Sequence, residues 1–264
     1  MKKYLVVGNP IDHSLSPKLH NHWIKINNIN AVYDKKKLNG EEIKNLILEI
    51  KKKNINGINI TVPFKNTVIP SLDKLSSEAK NTQSVNTVYL EGGKTTGHNT
   101  DIEGFELAIK DTKFNILNKE ILILGAGGVV PSIIFALNKM KVSKITLINR
   151  TRSKAENLKK LFQNLIIRDW GEIPNFDMII NATSVGLDNK DELNLDFSNI
   201  RKNKFFYDVI YNPKETNFLK KAKKEGNNIE NGKKMFIHQA AAAFKIWHGI
   251  TPKIDDEIIK LLDQ

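Results

Sequence analysis

The run Ile121-Leu-Ile-Leu-Gly-Ala-Gly-Gly128 restricts the fold of this chain more than any other segment. A strand buried on both faces reads as an unbroken apolar run, and this one ends in a glycine turn. Glycines there let the main chain approach a pyrophosphate, and the helix predicted after the turn offers that anion free N–H groups and the positive end of its dipole. Gly125, Gly127 and Gly128 are the candidate contacts. A second apolar run, Ile145-Thr-Leu-Ile148, leads into Asn149, Arg150 and Arg152. Chains that bind NAD carry Asp or Glu at that place, because a carboxylate accepts from the ribose 2′-hydroxyl. A carboxylate repels a 2′-phosphate, whereas a guanidinium can grip it bidentately. The pattern predicts a βαβ dinucleotide site preferring NADP(H), with hydride transfer as its chemistry. Pro131 and Ser132 stand where a third glycine could fall, and a proline is tolerated in a first helical turn.

A chain of 264 residues predicts one large or two medium domains. With no cysteine, disulfides, thiolate metal sites and a cysteine nucleophile are excluded. Too few apolar residues separate Met1-Lys-Lys from Asn9-Pro10 for a signal core, and no window reaches the ~20 apolar residues of a membrane span. A cytoplasmic protein without a membrane partner is expected. The formal charge of +12 invites a nucleic-acid reading. Against it, 37 of the 41 basic residues are lysines, spread along the chain in runs at 35–37, 51–53 and 220–224 that read as solvated faces. No basic patch is interleaved with aromatic residues, so no nucleic-acid partner is expected. The surplus charge can speed arrival of an anionic substrate.

Elsewhere, strands are predicted at residues 4–7, 31–38, 57–60, 177–181 and 205–209, with a hairpin at 85–96 around Glu91-Gly-Gly93. Helices are predicted at 17–27, 41–53, 101–111, 215–225, 233–248 and 255–262, the first with Ser16 as N-cap and Pro17 in its first position. Alternating strands and helices argue for an α/β chain with parallel sheets, one in residues 1–100 and a nucleotide-binding one after 120.

Five polar clusters stand at strand ends or helix starts, where open α/β sheets bind ligands. They are Gly8-Asn-Pro-Ile-Asp-His-Ser-Leu-Ser-Pro17, Asn59-Ile-Thr-Val-Pro-Phe-Lys65, Ser84-Val-Asn-Thr87, Gly97-His-Asn-Thr-Asp101 and the distant Gln239. So many short polar side chains suit a polyhydroxylated substrate. Reducing a carbonyl with hydride requires a proton on its oxygen, and a Lys65–Asp101 pair in a partly desolvated cleft could supply and recover it. Taken alone, Lys65 reads as one more exposed lysine and Asp101 as the cap of the helix after it. Ser14 and Ser16 are candidates to bind a carboxylate, with capping as the plain alternative. His13, His20 and His22 have no metal-like arrangement with carboxylates, and no metal is expected.

In order, the chain carries Gly-Asn-Pro-x-x-His-Ser-x-Ser-Pro, Asn-x-Thr-x-Pro-x-Lys, Val-Asn-Thr, Asn-Thr-Asp-x-x-Gly, Gly-Ala-Gly-Gly, Asn-Arg-Thr, Asn-Ala-Thr-Ser-x-Gly, Asp-x-x-Tyr-x-Pro and Gln-Ala-Ala. Together these resemble the shikimate dehydrogenase family over nearly the whole chain, from Gly8 to Gly249. Each motif is short, and nine in the right order and spacing are specific. The resemblance implies NADP-dependent interconversion of shikimate and 3-dehydroshikimate on the way to chorismate and the aromatic amino acids. It implies that Ser14, Ser16, Asn59, Thr61, Lys65, Asn86, Asp101 and Gln239 hold the substrate, that Tyr211 borders it, and that Lys65 and Asp101 are catalytic. Cofactor residues would be Gly125, Ala126, Gly127, Gly128, Asn149, Arg150, Thr151, Thr183, Ser184, Val209, Gly232 and Met235. Arg152 and Lys154 match the basic character of the phosphate loop less strictly. Val129-Val-Pro-Ser132 and Gln83-Ser84 depart from the family pattern. The expected architecture is a substrate-binding domain at 1–103 and 240–264, a Rossmann-like NADP-binding domain at 104–239, and a cleft between them, in a monomer or homodimer. The rivals are a non-catalytic NADP-binding regulator, disfavoured by the intact Lys65 and Asp101, and a nucleic-acid binder supported by charge alone.

Overall fold

The protein is represented by a computed structural model that describes residues 1–188, 191–197, 200 and 202–263. Residue 264, the last of the expected substrate domain, lies outside the described residues. The chain forms two compact units, one from Met1–Gly104 with Ile237–Gln264, the other from Phe105–Phe236.

The first unit contains β1 (Lys2–Gly8), α1 (Ser16–Ile26), β2 (Ala31–Lys37), α2 (Glu42–Lys51), β3 (Gly57–Ile60), β4 (Lys74–Leu75), α3 (Ser77–Thr82), β5 (Thr87–Glu91) and β6 (Lys94–His98). Its sheet runs β2-β1-β3-β5-β6-β4. The first three strands are parallel, but β5 is antiparallel to both β3 and β6. The expected parallel sheet is therefore mixed. Gly92 and Gly93, at φ 56° and 76°, reverse the chain in two residues, a connection open only to antiparallel neighbours.

Strand alternation sends the two sides of β1 into different cores. Val7 joins Ile58, Ile60 and Val88 against α2, whose Ile43, Leu46, Ile47 and Ile50 recur at helical spacing. Each such side chain contributes about 1.5–3 kcal/mol on burial. Tyr4 belongs to an aromatic layer with His20, Trp23, Tyr33, Phe244 and Trp247. Phe244 and Trp247 come from α8 (Lys233–His248), and the helix that follows is α9 (Asp256–Asp263). Gly57 makes room for this packing, since a Cβ there would sit 2.3 Å from the Trp247 Nε1.

After α4 (Asp101–Asp111), the second unit has β7 (Glu120–Leu124), α5 (Val130–Lys139), β8 (Lys144–Ile148), α6 (Arg152–Leu161), β9 (Ile166–Arg168), β10 (Met178–Asn181), β11 (Phe205–Asp208), α7 (Asn217–Lys224) and β12 (Asn228–Glu230). Every pairing in its sheet is parallel, in the order β12-β11-β10-β7-β8-β9. The strand order reverses between β7 and β10, which is where doubly wound sheets bind nucleotides. Val129-Val-Pro-Ser132 keeps a regular helix: α5 begins at Val130 with Pro131 in its first turn.

Candidate active site

The carboxyl ends of β1 and β3 lie side by side because the strands are parallel neighbours. Their loops interlock: Asn9 N–H donates to Val62 O at 2.9 Å, and Thr61 N–H to Val7 O at 2.9 Å. A Cβ on Gly8 would stand 2.3 Å from Thr61 Cγ2. This brings the Ser14–Ser16 loop and the Thr61–Lys65 loop to one edge. Hydrogen bonds from Val85 N–H to Lys65 O (2.7 Å) and from Ile60 N–H to Asn86 O (2.8 Å) add the segment before β5.

Lys65 and Asp101 meet there. Lys65 Nζ donates to Asp101 Oδ2 at 2.6 Å, with side-chain exposures of 11% and 7%. Asn86 Nδ2 donates to the other carboxylate oxygen at 3.0 Å and to Thr100 Oγ1 at 2.8 Å, and lies 3.5 Å from Gln239 Oε1. Asp101 opens α4 and uses its carboxylate on Lys65 and Asn86, while its own N–H donates to Asn99 Oδ1 at 3.1 Å. Gln239, on α8, thus belongs to the first unit rather than within the expected 104–239 domain.

Ser16 departs from expectation. It is the first residue of α1, and Leu15 occupies the cap position without a side-chain bond. The Ser14 hydroxyl oxygen instead accepts the Ser16 N–H at 3.3 Å, so the serine serving this helix start lies two residues upstream. Asn59 is buried, its Nδ2 donating to Asn86 O (3.1 Å) and Thr87 Oγ1 (3.0 Å).

In the second unit, β7 and β10 end side by side, and Ala182 N–H donates to Leu124 O at 2.9 Å. Gly125 turns at φ +101°, where a Cβ would be 2.9 Å from Thr183 Cγ2. Ala126 is half-buried, and Gly127 and Gly128 are exposed just before α5. Between β12 and α8, a Cβ on Gly232 would sit 2.0 Å from Val209 O. Thr183 is held by Asn181, whose Oδ1 accepts both its N–H (3.1 Å) and its hydroxyl (2.7 Å). Asn181 Nδ2 in turn donates to Asp208 Oδ1 at 3.1 Å. Burial pushes the Asp208 carboxyl up to about 6, opposed by hydrogen bonds from Thr216, the Ile210 N–H and Asn181. Met235 is buried, Ser184 is exposed, and Tyr211 stacks on Phe236 within this unit at 4.6 Å.

The basic loop after β8 is open. Arg150, Thr151 and Lys154 are exposed, and Asn149 Nδ2 bonds Thr151 O at 2.7 Å, which shapes the turn. Arg152 pairs with Asp169 and, at 3.4 Å, with Glu156, which raises the pKa of its guanidinium. A glycine turn with no room for a Cβ at Gly125, exposed Gly127 and Gly128 ahead of a helix, and cationic side chains after the neighbouring strand suit a dinucleotide carrying a 2′-phosphate.

Four residues that build the first-unit site were not singled out from the sequence. Thr100 donates its N–H to Asn86 Oδ1 at 2.8 Å, and Asn99 holds Thr82 and Ser84. Thr87 and Tyr33 bind the Asn59 amide. Asn99, Thr100 and Thr87 lie inside the polar clusters, a signal that was available. Tyr33 reads only as a strand aromatic.

Three family models match the chain: the shikimate dehydrogenase substrate binding domain over residues 6–88, shikimate / quinate 5-dehydrogenase over 106–216, and the shikimate 5′-dehydrogenase C-terminal domain over 234–256. The shikimate dehydrogenase (NADP(+)) of Pelagibacter ubique is 60% identical over 262 residues, covering 99% of both chains. The crystal structure of shikimate dehydrogenase from Aquifex aeolicus superposes with a TM-score of 0.92 at 38% identity, covering 100% of this chain and 98% of that one. The Thermus thermophilus shikimate 5-dehydrogenase, solved with NADP(H) and shikimate, gives 0.90 at 30% identity, covering 100% and 99%. With a substrate-binding fold at its N-terminal end and a nucleotide-binding fold after it, matched across both units, the chain belongs to the shikimate dehydrogenase family.

Proposed function

We propose that this protein catalyses the reversible NADPH-dependent reduction of 3-dehydroshikimate to shikimate, a step toward chorismate and the aromatic amino acids. The observation that carries the chemical reading is the buried Lys65–Asp101 pair at 2.6 Å, joined to Asn86 at the end of the polar cluster. Bound NADPH supplies the hydride. Lys65 gives the carbonyl oxygen its proton during reduction and takes it back during oxidation. Asp101 orients the ammonium and a ring hydroxyl, with Asn86, itself held by Thr100, fixing its carboxylate. Ser14 and Ser16 bind the substrate carboxylate. Asn59, Thr61, Asn86 and Gln239 complete the hold on the ring, with Tyr211 at its border.

Gly125 to Gly128 take the pyrophosphate at the start of α5, and Arg150, with Asn149, Thr151, Arg152 and Lys154, takes the 2′-phosphate. Thr183, Ser184 and Val209 lie by the cofactor, with Gly232 and Met235 near the nicotinamide. The division at 104/105 and 236/237 separates the substrate-binding from the nucleotide-binding part. Among the described residues no helix is long and apolar enough to cross a membrane. We infer a cytoplasmic enzyme working as a monomer or homodimer, a point sedimentation velocity resolves.

The test is absorbance at 340 nm with shikimate or quinate, each against NADP and NAD. Shikimate with NADP should be turned over best. No NADPH formation with shikimate at any pH from 6 to 10 would refute the proposal.

A further inference from the structure

Two polar side chains in the second unit are wholly buried and have no part in the reaction. Asn181 ends β10 and Asp208 ends β11, registered side by side and each 0% exposed. Such groups cost free energy on burial unless their hydrogen bonds are met. Here they are met. Asp208 Oδ1 accepts from Asn181 Nδ2 at 3.1 Å and from the Ile210 N–H at 3.0 Å, and Oδ2 accepts from the Thr216 hydroxyl at 2.6 Å. The Thr216 oxygen also accepts the Leu219 N–H at 3.4 Å, as the cap of α7. One carboxylate thus ties the loop after β11 to the start of α7.

Asn181 passes the constraint to the loop after β10. An ionised carboxylate only accepts, so the amide nitrogen must face Asp208. The second amide proton goes to Val185 O at 3.1 Å. Oδ1 is left pointing at Thr183, where it accepts the backbone N–H at 3.1 Å and the hydroxyl at 2.7 Å. The Thr183 hydroxyl oxygen in turn accepts the Val185 N–H at 3.1 Å. Val185 packs against the core that holds Phe206 and Phe218, which anchors the far side of this ring. The single hydroxyl proton of Thr183 is therefore committed inside its own loop. With Oγ1 turned inward, Cγ2 faces the glycine turn: it is the atom that a Cβ on Gly125 would meet at 2.9 Å.

We propose that Asn181 is a positioning residue for the cofactor, its amide oriented by Asp208 so that Thr183 turns its hydroxyl into the loop and its methyl toward the glycine turn. Thr183 then meets the dinucleotide by shape, as a wall beside Gly125, and not by donating a hydrogen bond. Apolar side chains at 181 and 208 would hold the two strands together as well or better. They would not select the rotamer of Thr183. This rests on the assignment of Gly125 and Thr183 to the cofactor site.

The experiment compares Asn181→Ala, Thr183→Val and the double variant by fluorescence titration with NADP and by the 340 nm assay. Thr183→Val keeps the volume of the side chain and removes the hydroxyl. Each single variant should raise the NADP Kd about five- to thirty-fold, with the shikimate KM within about three-fold. The double variant should be no worse than the more affected single variant, because Asn181 acts through Thr183. An unchanged NADP Kd in either single variant overturns the proposal. Effects that multiply in the double variant also overturn it, since the Thr183 hydroxyl would then contact the cofactor itself. Thr183→Phe checks the site assignment separately: its bulk should abolish NADP binding, and an unchanged Kd there removes Thr183 from the cofactor site. If Asn181→Ala does not fold, threonine methyl-labelled protein decides. Three-bond couplings to the Thr183 methyl carbon should report one rotamer, the same with and without NADP. A mixed or NADP-dependent rotamer overturns the proposal.

Discussion

Replacing Lys65 by Met keeps the length of the side chain and deletes its charge and protons. Two separable effects follow from the geometry. Asp101, 5% exposed, loses the ammonium 2.6 Å away and keeps the Asn86 amide at 3.0 Å. Breaking one side of a buried ion pair costs about 3–5 kcal/mol, because the remaining charge is uncompensated. In a unit of this size that lowers its melting point by on the order of ten degrees. Pairing Lys65→Met with Asp101→Asn removes the stranded charge and should restore most of that loss. The chemical effect behaves differently. A positioned acid supplies about 10²–10⁴-fold, so kcat should fall by that factor in both the single and the double variant. The shikimate KM should stay within a few-fold. Thermal unfolding followed by circular dichroism, with the 340 nm assay on the same samples, gives both numbers. Near wild-type kcat in folded Lys65→Met would make another group the acid. An unchanged melting point would show that the pair is solvated.

Arg150→Ala should raise the NADP KM about ten-fold and leave NAD turnover steady, while equal weakening of both cofactors would place the 2′-phosphate elsewhere. Gly232→Ala forces a Cβ to within 2.0 Å of the Val209 carbonyl oxygen, and the resulting backbone shift should weaken NADP by about ten-fold or more in fluorescence titration; an unchanged Kd removes this glycine from the cofactor site. His20 is lowered to about 3 by burial and by His248, whereas the unfolded chain takes up that proton near pH 6.5. The folded state forgoes the proton, so stability falls as pH drops from 6.5 toward 3, by up to about 1.4 kcal/mol per pH unit. Urea unfolding of His20→Phe over pH 7 to 4 should lack that component relative to the unaltered protein, and parallel slopes would refute it. Asp208, raised to about 6, contributes the opposite slope between about pH 4 and 6 in both proteins, so it cancels from the difference.

The nucleotide-binding unit was legible because its signals are local: an apolar run, a glycine turn and a basic strand end are each contiguous. The same holds for the β5–β6 hairpin, whose glycines announce the reversal. Lys65 and Asp101 could be paired because both follow strand ends, which parallel topology gathers at one edge. Other features depend on partners distant in sequence. Gln239 reaches Asn86 across 153 residues, and Tyr33 reaches Asn59 across 26. Nothing near Tyr33 marks its hydroxyl as more than a strand aromatic's polar tip. Ser16 fits a cap by type and lost that role to Ser14, a choice set by the direction of the incoming loop. The six residues of α3 are too few for periodicity, although Ser76, which accepts the Ala79 N–H, marks their start.

The first unit is drawn from both ends of the chain, with residues 105–236 intervening. Synthesis runs from one end to the other, so β1 to β6 exist well before α8 does. Until then Tyr4, Trp23 and Tyr33 lack Phe244 and Trp247, and Trp23 Nε1 lacks the Lys253 carbonyl to which it donates at 3.2 Å. The continuous second unit has its full set of residues while the first still lacks the helix that covers its aromatic face. A nascent chain halted between residues 236 and 244 therefore has a complete nucleotide half together with an uncovered aromatic face prone to sticking. Gln239, whose Oε1 lies 3.5 Å from Asn86 Nδ2, also arrives in that last stretch, so the polar cluster and the aromatic layer are completed in the same late event.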